Sequence, residues 1–492
     1  MLFNSVQFLI FLPIVFIIYW LYPKKYKWLP LLLFSYYFYM YWNWKLVFLI
    51  FLTTVVSYAC GLLLDRFGDR PKIKKACVAV VLVVCFGILL FFKYFNFFYD
   101  IIKDIISAFG GDKPTGYFVI MLPVGISFYT FQTASYVIDV YKGKIKAEKH
   151  FGYYALFVSF FPQLVAGPIE RPQDLLPQLK NTEKSVKQVD YSGALRYMLV
   201  GFFKKIAIAD ILGIFVNATY NNISQANGLM VLIATLLFTF QIYGDFSGYS
   251  DIAVGTAKLF GINLTENFES PYSSKSIKEF WNRWHISLSK WLRDYIYFPL
   301  GGSRVKKFRW VLNILIVFFV SGLWHGANYT FIVWGLMHAA FQIIGAFTLK
   351  YRNKILVKLH MSPESLWGGV LRTVGTFLLV AFAWIFFRAN TISDAGTAVV
   401  KLFSDYSFSA AYFKQTADGL GINVFWGVYA VLGIPLMLSL EKLKRIDVCG
   451  CKLYAKSAVR YIAYVVMAWA VIIAWIYLQA EDIGSSFIYF QF

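Results

Sequence analysis

Phe280-Trp281-Asn282-Arg283-Trp284-His285-Ile286-Ser287-Leu288-Ser289-Lys290-Trp291 and, further along, Ser321-Gly322-Leu323-Trp324-His325-Gly326-Ala327 are the parts of the stretch Ser276–Ala339 that decide how this chain is read. Each carries a histidine among tryptophans, on or beside a run of apolar residues long enough to enter a membrane. The chain has five histidines in 492 residues. An imidazole changes charge near neutral pH and moves protons readily. Ionisable groups at membrane depth are costly and point to function by default. His285 and His325 are therefore the leading site candidates.

Working outward, the composition is that of a bilayer protein: 59% hydrophobic, 20% aromatic and only 15% charged. Soluble domains run near 45–50% apolar and 25% charged. Apolar blocks occur at Ser5–Tyr22, Leu46–Leu64, Ala76–Phe92, Leu229–Ile242, Trp310–Trp324, Phe331–Phe347, Val374–Phe387, Val424–Leu438 and Ala463–Leu478, with weaker ones at Tyr117–Phe131 and Phe151–Val165. About 20 residues cross a bilayer, so the expectation is an all-α polytopic integral membrane protein of roughly eleven to thirteen membrane segments, some broken or re-entrant. Met1–Tyr22 lacks a basic leader and a small-residue cleavage site, and reads as a retained first helix. With no soluble-length polar segment, residues 1–492 are expected to form a single membrane domain: N-terminal spans over 1–115, a core over 116–345 and C-terminal spans over 346–492. The longest polar stretch, Glu170–Tyr191, reads as a surface or re-entrant loop.

The net charge of +21 follows from basic clusters between the apolar blocks: Lys24–Lys27, Arg70–Lys75, Lys142–Lys149 and Lys442-Leu443-Lys444-Arg445. Such clusters mark cytoplasmic loops and contact anionic lipid. Two spans separate the first two clusters, which would place both in the cytoplasm and the N-terminus outside. Nothing else in the chain supports nucleic-acid binding. Of the five cysteines, Cys60, Cys77 and Cys85 sit in apolar spans, and Cys449-Gly450-Cys451 is too short a motif to claim a metal. Neither a disulfide framework nor a metal site is implied.

The middle of the chain carries unusual residues at membrane depth. Leu122-Pro123-Val124-Gly125-Ile126-Ser127-Phe128-Tyr129 and Phe160-Phe161-Pro162-Gln163-Leu164-Val165-Ala166-Gly167-Pro168-Ile169-Glu170-Arg171 break apolar blocks with Pro and Gly. Broken helices are tolerated where backbone is buried in protein or lines a wet cavity, and ordinary kinked spans remain the plainer reading. Asp245 and Asp251 flank Gly248 beside an apolar span, either as functional carboxylates or as a hydrogen-bonded turn. Ser276–Tyr295 reads as one amphipathic helix at the membrane interface, with Trp281, Trp284, His285, Leu288 and Trp291 on its apolar side. His285 has a structural alternative as a satisfied core residue. His325 ends an apolar run just before Gly326, a position from which it can face a cavity. His338 lies 13 residues on, which one straight helix would place on the opposite face. His150 and His360 stand in basic polar stretches and read as solvated.

These motifs, together with Asp245–Asp251, Gly301-Gly302-Ser303-Arg304 and Trp334-Gly335-Leu336-Met337-His338, resemble the membrane-bound O-acyltransferase superfamily over essentially the whole chain. The likeness is greatest to the branch of the alginate O-acetyltransferase membrane subunit, and D-alanyl-lipoteichoic acid acyltransferases are more distant. The resemblance implies that fold, with broken helices and interfacial amphipathic helices around a central passage. It implies that His325 is the catalytic residue and His285 the second signature position. It further implies a bacterial plasma-membrane enzyme moving acetyl from cytoplasmic acetyl-coenzyme A towards an extracytoplasmic polysaccharide, directly or through a secreted partner acetyltransferase.

A neutral imidazole near the acceptor hydroxyl suits proton removal, which a positioned general base accelerates about 10²–10⁴-fold. His285 would then polarise or position the donor carbonyl. Trp281, Arg283, Trp324 and Asn328 are candidates for contacting the donor, and Asp245, Asp251, Glu170, Arg171 and His338 for supporting the site. No permanently bound cofactor is expected. Transfer of D-alanyl or another acyl group is the alternative within the class. A polysaccharide-precursor transporter is the rival from outside it, although it would predict internal repeats and polar groups spread over several spans.

Overall fold

All nine of the stronger apolar blocks fold as helices, because a backbone in lipid must satisfy its own hydrogen bonds and a continuous helix does so. Eight helices among the described residues are long and apolar enough to cross a membrane, and Val6–Leu21 is a shorter apolar one. The structure, a computed structural model, describes residues 1–68, 70–110, 120, 122–181, 185–358, 362, 365–421, 424–445, 456–481 and 488. His360 and the Cys449–Cys451 motif lie outside them. The described chain divides into two units, Met1–Met198 with Ile252–Thr265, and Leu199–Asp251 with Glu266–Phe492.

The first unit contains α1 (Val6–Leu21), α2 (Trp28–Met40), α3 (Val47–Arg66), α4 (Pro71–Ala108), α5 (Ile126–Tyr141), α6 (Phe151–Ser159), α7 (Phe161–Leu164) and α8 (Pro172–Lys180). Helices α3, α4 and α5 pack on one another, and α6 packs against α2 and α3. Both Pro/Gly breaks read from the sequence meet here. Gly125 takes φ 75°, and a Cβ on it would lie 2.4 Å from the Leu164 carbonyl oxygen, so only glycine permits α5 to start there. Gln132 and Gln163 each donate an amide N–H to the Phe157 carbonyl, at 2.6 and 2.8 Å, satisfying backbone next to the α6–α7 break. The stretch read as a loop over Glu170–Tyr191 instead begins with α8, whose apolar side (Leu175, Leu176, Leu179) is buried. Its three buried leucines within five residues carried that signal.

The second unit contains a π-helical segment, Phe203–Asp210, then α10 (Ile211–Tyr220), following α9 (Tyr191–Phe202), and α11 (Gly228–Leu259) up to Asp251. After these come α12 (Ile277–Arg283), α13 (Ile286–Leu292), α14 (Lys307–His325), α15 (Tyr329–Lys358), α16 (Leu366–Arg388), α17 (Ile392–Ser404), α18 (Ala410–Leu420), α19 (Val424–Leu440) and α20 (Ser457–Ala480). Helices α14 and α15 form a tight hairpin, and α16 packs on α15. A Cβ on Gly322 would lie 2.4 Å from the Phe331 carbonyl oxygen, and one on Gly335 2.3 Å from that of Phe318. Two glycines therefore let the backbones of α14 and α15 touch, as small residues do between membrane helices.

Candidate active site

The stretch expected to be one amphipathic helix is broken at its histidine. Helix α12 ends at Arg283, and α13 begins at Ile286. His285 between them is left-handed, at φ 44° and ψ 55°. Among the described residues only Ser270 shares a positive φ without being glycine. Asn267 enforces the break: its carbonyl oxygen accepts from the Ile286 N–H at 3.0 Å and its side-chain oxygen from the Ser287 N–H at 3.1 Å. These are N–H groups of a helix start that would otherwise lack partners. Strain of this sort persists only where the surroundings over-determine it, and it gathers at functional sites. The His285 ring is fully buried, against Phe246 at 4.6 Å and Trp324 at 5.5 Å between ring centres. Burial pushes its imidazole down to about 3, so it is neutral at physiological pH.

His325 is the last residue of α14 and 3% exposed. Its ring meets Trp324 at 5.0 Å, Trp334 at 4.9 Å and Phe387 at 5.3 Å. Gly326 follows because a Cβ there would lie 2.2 Å from the Phe331 ring. Residues 325 and 338 do not share a helix: the chain turns after Gly326 and His338 rises on α15. His325 and His338 are therefore not set on opposite faces of one straight helix. Trp334 stands between the two imidazoles, 4.9 Å from one and 5.0 Å from the other. The result is a ladder of rings running His285, Trp324, His325, Trp334, His338, Trp281. At its far end the Trp281 indole N–H donates to His338 Nδ1 at 3.3 Å, which places the His338 proton on Nε2.

The remaining candidates take other positions. Trp324 is a rung of the ladder. Arg283 is engaged by Glu279 at 2.8 Å and the Ser273 hydroxyl at 3.0 Å. Both ends of the Asn328 amide serve the turn into α15, accepting from the Thr330 N–H and donating to the Asn390 carbonyl. Asp245 and Asp251 belong to a buried ion cluster. Asp251 meets Lys204 and Lys444, both at 2.9 Å, and Asp245 meets Lys205. Glu441 and Asp210 complete it, Glu441 also accepting from the Tyr243 hydroxyl at 2.7 Å. Lys444, in a cluster expected to mark a basic cytoplasmic loop, is instead 5% exposed and paired inside the protein. In the first unit, buried Glu170 accepts from the Thr265 N–H at 2.6 Å and its hydroxyl at 3.2 Å, and Arg171 precedes α8 as its cap residue. His150 is exposed and caps α6 through Nδ1.

Trp334, which stacks on Trp384 at 5.7 Å, and Asn267 carry no signal for the site by residue type alone. Trp334 had a signal, since it stands four residues before His338 and so on its face of a helix. Lys204 and Lys205 carry a signal in the sequence too, as two adjacent lysines in an apolar run that need buried partners. An open-sided groove of about 1800 Å³ lies in the same unit, with Trp281 and Ser321 among its walls and neither His285 nor His325.

The sequence model of the membrane-bound O-acyltransferase family, MBOAT, matches residues 146–383, which span the ladder. The chain is 39% identical over 434 residues to the probable alginate O-acetylase AlgI of Pseudomonas aeruginosa, covering 88% of this chain and 81% of that protein. It is 34% identical to the peptidoglycan O-acetyltransferase of Helicobacter pylori, over 80% of this chain and 78% of that one. The teichoic acid D-alanyltransferase of Bacillus subtilis is 30% identical over 54% of this chain and 69% of its own length. The chain belongs to the membrane-bound O-acyltransferase family and is a multi-pass O-acyltransferase.

Proposed function

We propose that this enzyme O-acetylates an extracytoplasmic polysaccharide of a bacterium, taking acetyl from acetyl-coenzyme A on the cytoplasmic side of the plasma membrane. The relatives that cover most of the chain are named for acetylating alginate and peptidoglycan, whereas the D-alanyltransferase covers only 54% of it. Family membership also favours the enzyme over the transporter. The observation that carries the chemistry is the placement of His325. It closes an apolar helix, is buried, and sits one ring from His285 and one from His338.

In this reading the acceptor oxygen attacks the thioester carbonyl carbon while His325 takes the hydroxyl proton. The carbon–sulfur bond then breaks, and the proton passes to the departing thiolate, giving free coenzyme A and an ester. His285, kept neutral by burial, donates or positions at the carbonyl oxygen as negative charge develops. His338, its tautomer set by Trp281, holds the far end of the ladder. Acetyl alone crosses the membrane, onto the final sugar hydroxyl or onto a secreted acetyltransferase that completes the transfer. Asp245 and Asp251 serve by holding the helices that frame the site. Purified enzyme given radiolabelled acetyl-coenzyme A and either polysaccharide or the secreted fraction tests the reading. Label on a hydroxyl of polymer or partner supports it. No label on polymer or partner and no release of coenzyme A, from folded enzyme, overturns it.

A further inference from the structure

The groove of the second unit has largely apolar walls, with Lys275, Lys278, Arg293, Arg352 and Arg372 among its lining. Helices α15 and α16 run antiparallel along it, since Arg372, near the start of α16, donates to the Asn353 side chain near the end of α15 at 2.7 Å. Trp310, near the start of α14, packs on Phe347 of α15 at 5.9 Å and shares that end. Both α15 and α16 are membrane-length apolar helices, yet lining residues Ile344, Leu378 and Phe403 are 58%, 56% and 73% exposed. From Arg372 to Phe382 the wall rises about 15 Å at roughly 1.5 Å per residue. That is half of a hydrocarbon core of about 30 Å, the depth of one leaflet.

At the mouth stand Lys275 and Arg372, with the Arg352 side chain running from there along α15. The Lys275 ammonium lies 3.6 Å from where a Cβ on Gly369 would stand, one helical turn before Arg372. Arg352 is the neighbour of Asn353 and donates to the Gly345 carbonyl at 2.8 Å. Among the described residues, none of the three has a carboxylate partner within ion-pair distance. Glu279, which also lines the groove, is occupied by Arg283 at 2.8 Å and by the Lys275 backbone N–H at 2.9 Å. Apolar walls of leaflet depth beneath uncompensated cations match a molecule with acyl chains and an anionic head, because basic pockets between membrane helices hold acidic headgroups.

We propose that this groove seats one anionic phospholipid, its phosphate at Lys275 and Arg372 and an acyl chain along α15 and α16. Neither His285 nor His325 lines the seat, and Trp281, which holds His338, is the ladder's one member on its wall.

Native mass spectrometry of the full chain in mild detergent tests this with dioleoylphosphatidylglycerol and dioleoylphosphatidylcholine at equal concentration. The expected result is one retained phosphatidylglycerol, preferred at least tenfold. Lys275→Gln with Arg372→Gln removes the preference, while Lys72→Gln with Lys74→Gln, in a basic cluster elsewhere, leaves it. Gly375→Phe provides an independent arm, because no atom lies within 4 Å of a Cβ at Gly375 and the new ring enters the groove without displacing the helix. It lowers retention of phosphatidylglycerol with every cation in place and the melting temperature kept. Equal retention of the two lipids, a preference surviving the double substitution, or unchanged retention in Gly375→Phe overturns the proposal. Displacement of the lipid by free coenzyme A also overturns it, and reassigns the cations to the acyl donor.

Discussion

His285 separates backbone strain from side-chain chemistry, and three substitutions read the two apart. The residue is held at φ 44° and ψ 55° with its ring fully buried against Phe246 and Trp324. A left-handed conformation costs a residue with a Cβ about 1–2 kcal/mol. His285→Ala loses the ring and keeps that cost. His285→Gly loses the same ring and sheds the strain, but gives back about 0.5–1 kcal/mol of extra unfolded-chain entropy. The glycine variant is therefore expected to be more stable than the alanine variant by about 0.5–1 kcal/mol, the reverse of their order inside a helix. His285→Asn tolerates the left-handed backbone, keeps a donor and fills part of the space, so it is the most stable of the three. Thermal unfolding of the purified protein gives the stability order, and acetyl transfer per folded molecule gives the chemistry. Only the Asn variant is expected to keep measurable turnover. An alanine variant more stable than the glycine one would refute the strain argument. Equal turnover in Asn and Gly would refute the donor role.

The same burial makes stability depend on acid. An imidazole held near 3 when folded and near 6.5 when unfolded binds its proton only after unfolding. Stability from this group is complete above pH 6.5 and is lost as pH falls towards 3, by up to about 1.4 kcal/mol per unit. Melting curves of His285→Asn from pH 7 to 4 are expected to fall less steeply than wild type, and parallel curves would count against it. Lys204→Met leaves buried Asp251 and Glu441 to share Lys444 and is expected to cost about 3–5 kcal/mol, read as a loss of folded protein in membranes; wild-type abundance would contradict the cluster's role. Gly335→Ala, whose Cβ would stand 2.3 Å from the Phe318 carbonyl oxygen, forces α14 from α15 and is expected to cost about 1–3 kcal/mol in the same melting assay. Single cysteines at Lys72 and Lys290, with the native cysteines replaced, are expected to resist a membrane-impermeant thiol reagent on intact cells, since basic loops stay cytoplasmic. Labelling of either from outside would reverse the orientation.

The apolar runs were legible because lipid leaves the backbone one economical solution, and each strong block became a helix. The histidines were legible because so few ionisable groups stand near membrane depth. What periodicity hid was the break at His285. Trp281, Trp284, Leu288 and Trp291 fit a helical repeat well, and the residue that interrupts it, Asn267, lies outside the repeat and acts through its own carbonyl and amide oxygens. The pairing of Trp281 with His338 across 57 positions has no local signature. Lys444 is hidden for a related reason: in sequence it resembles any loop lysine, with Glu441 as a local i,i+3 partner, and only the fold brings Asp251 to it.

The central claim is that His325 removes the acceptor proton, and His325→Gln tests it most directly. Glutamine keeps much of the ring's volume in the site against Trp324, Trp334 and Phe387 but takes up no proton at neutral pH. Acceptor-dependent release of coenzyme A from acetyl-coenzyme A would be followed in single turnover, alongside donor binding and melting temperature. The account predicts a rate lower by about 10²–10⁴, with donor affinity and melting temperature held. A rate within a few-fold of wild type, at equal folded protein, would contradict it.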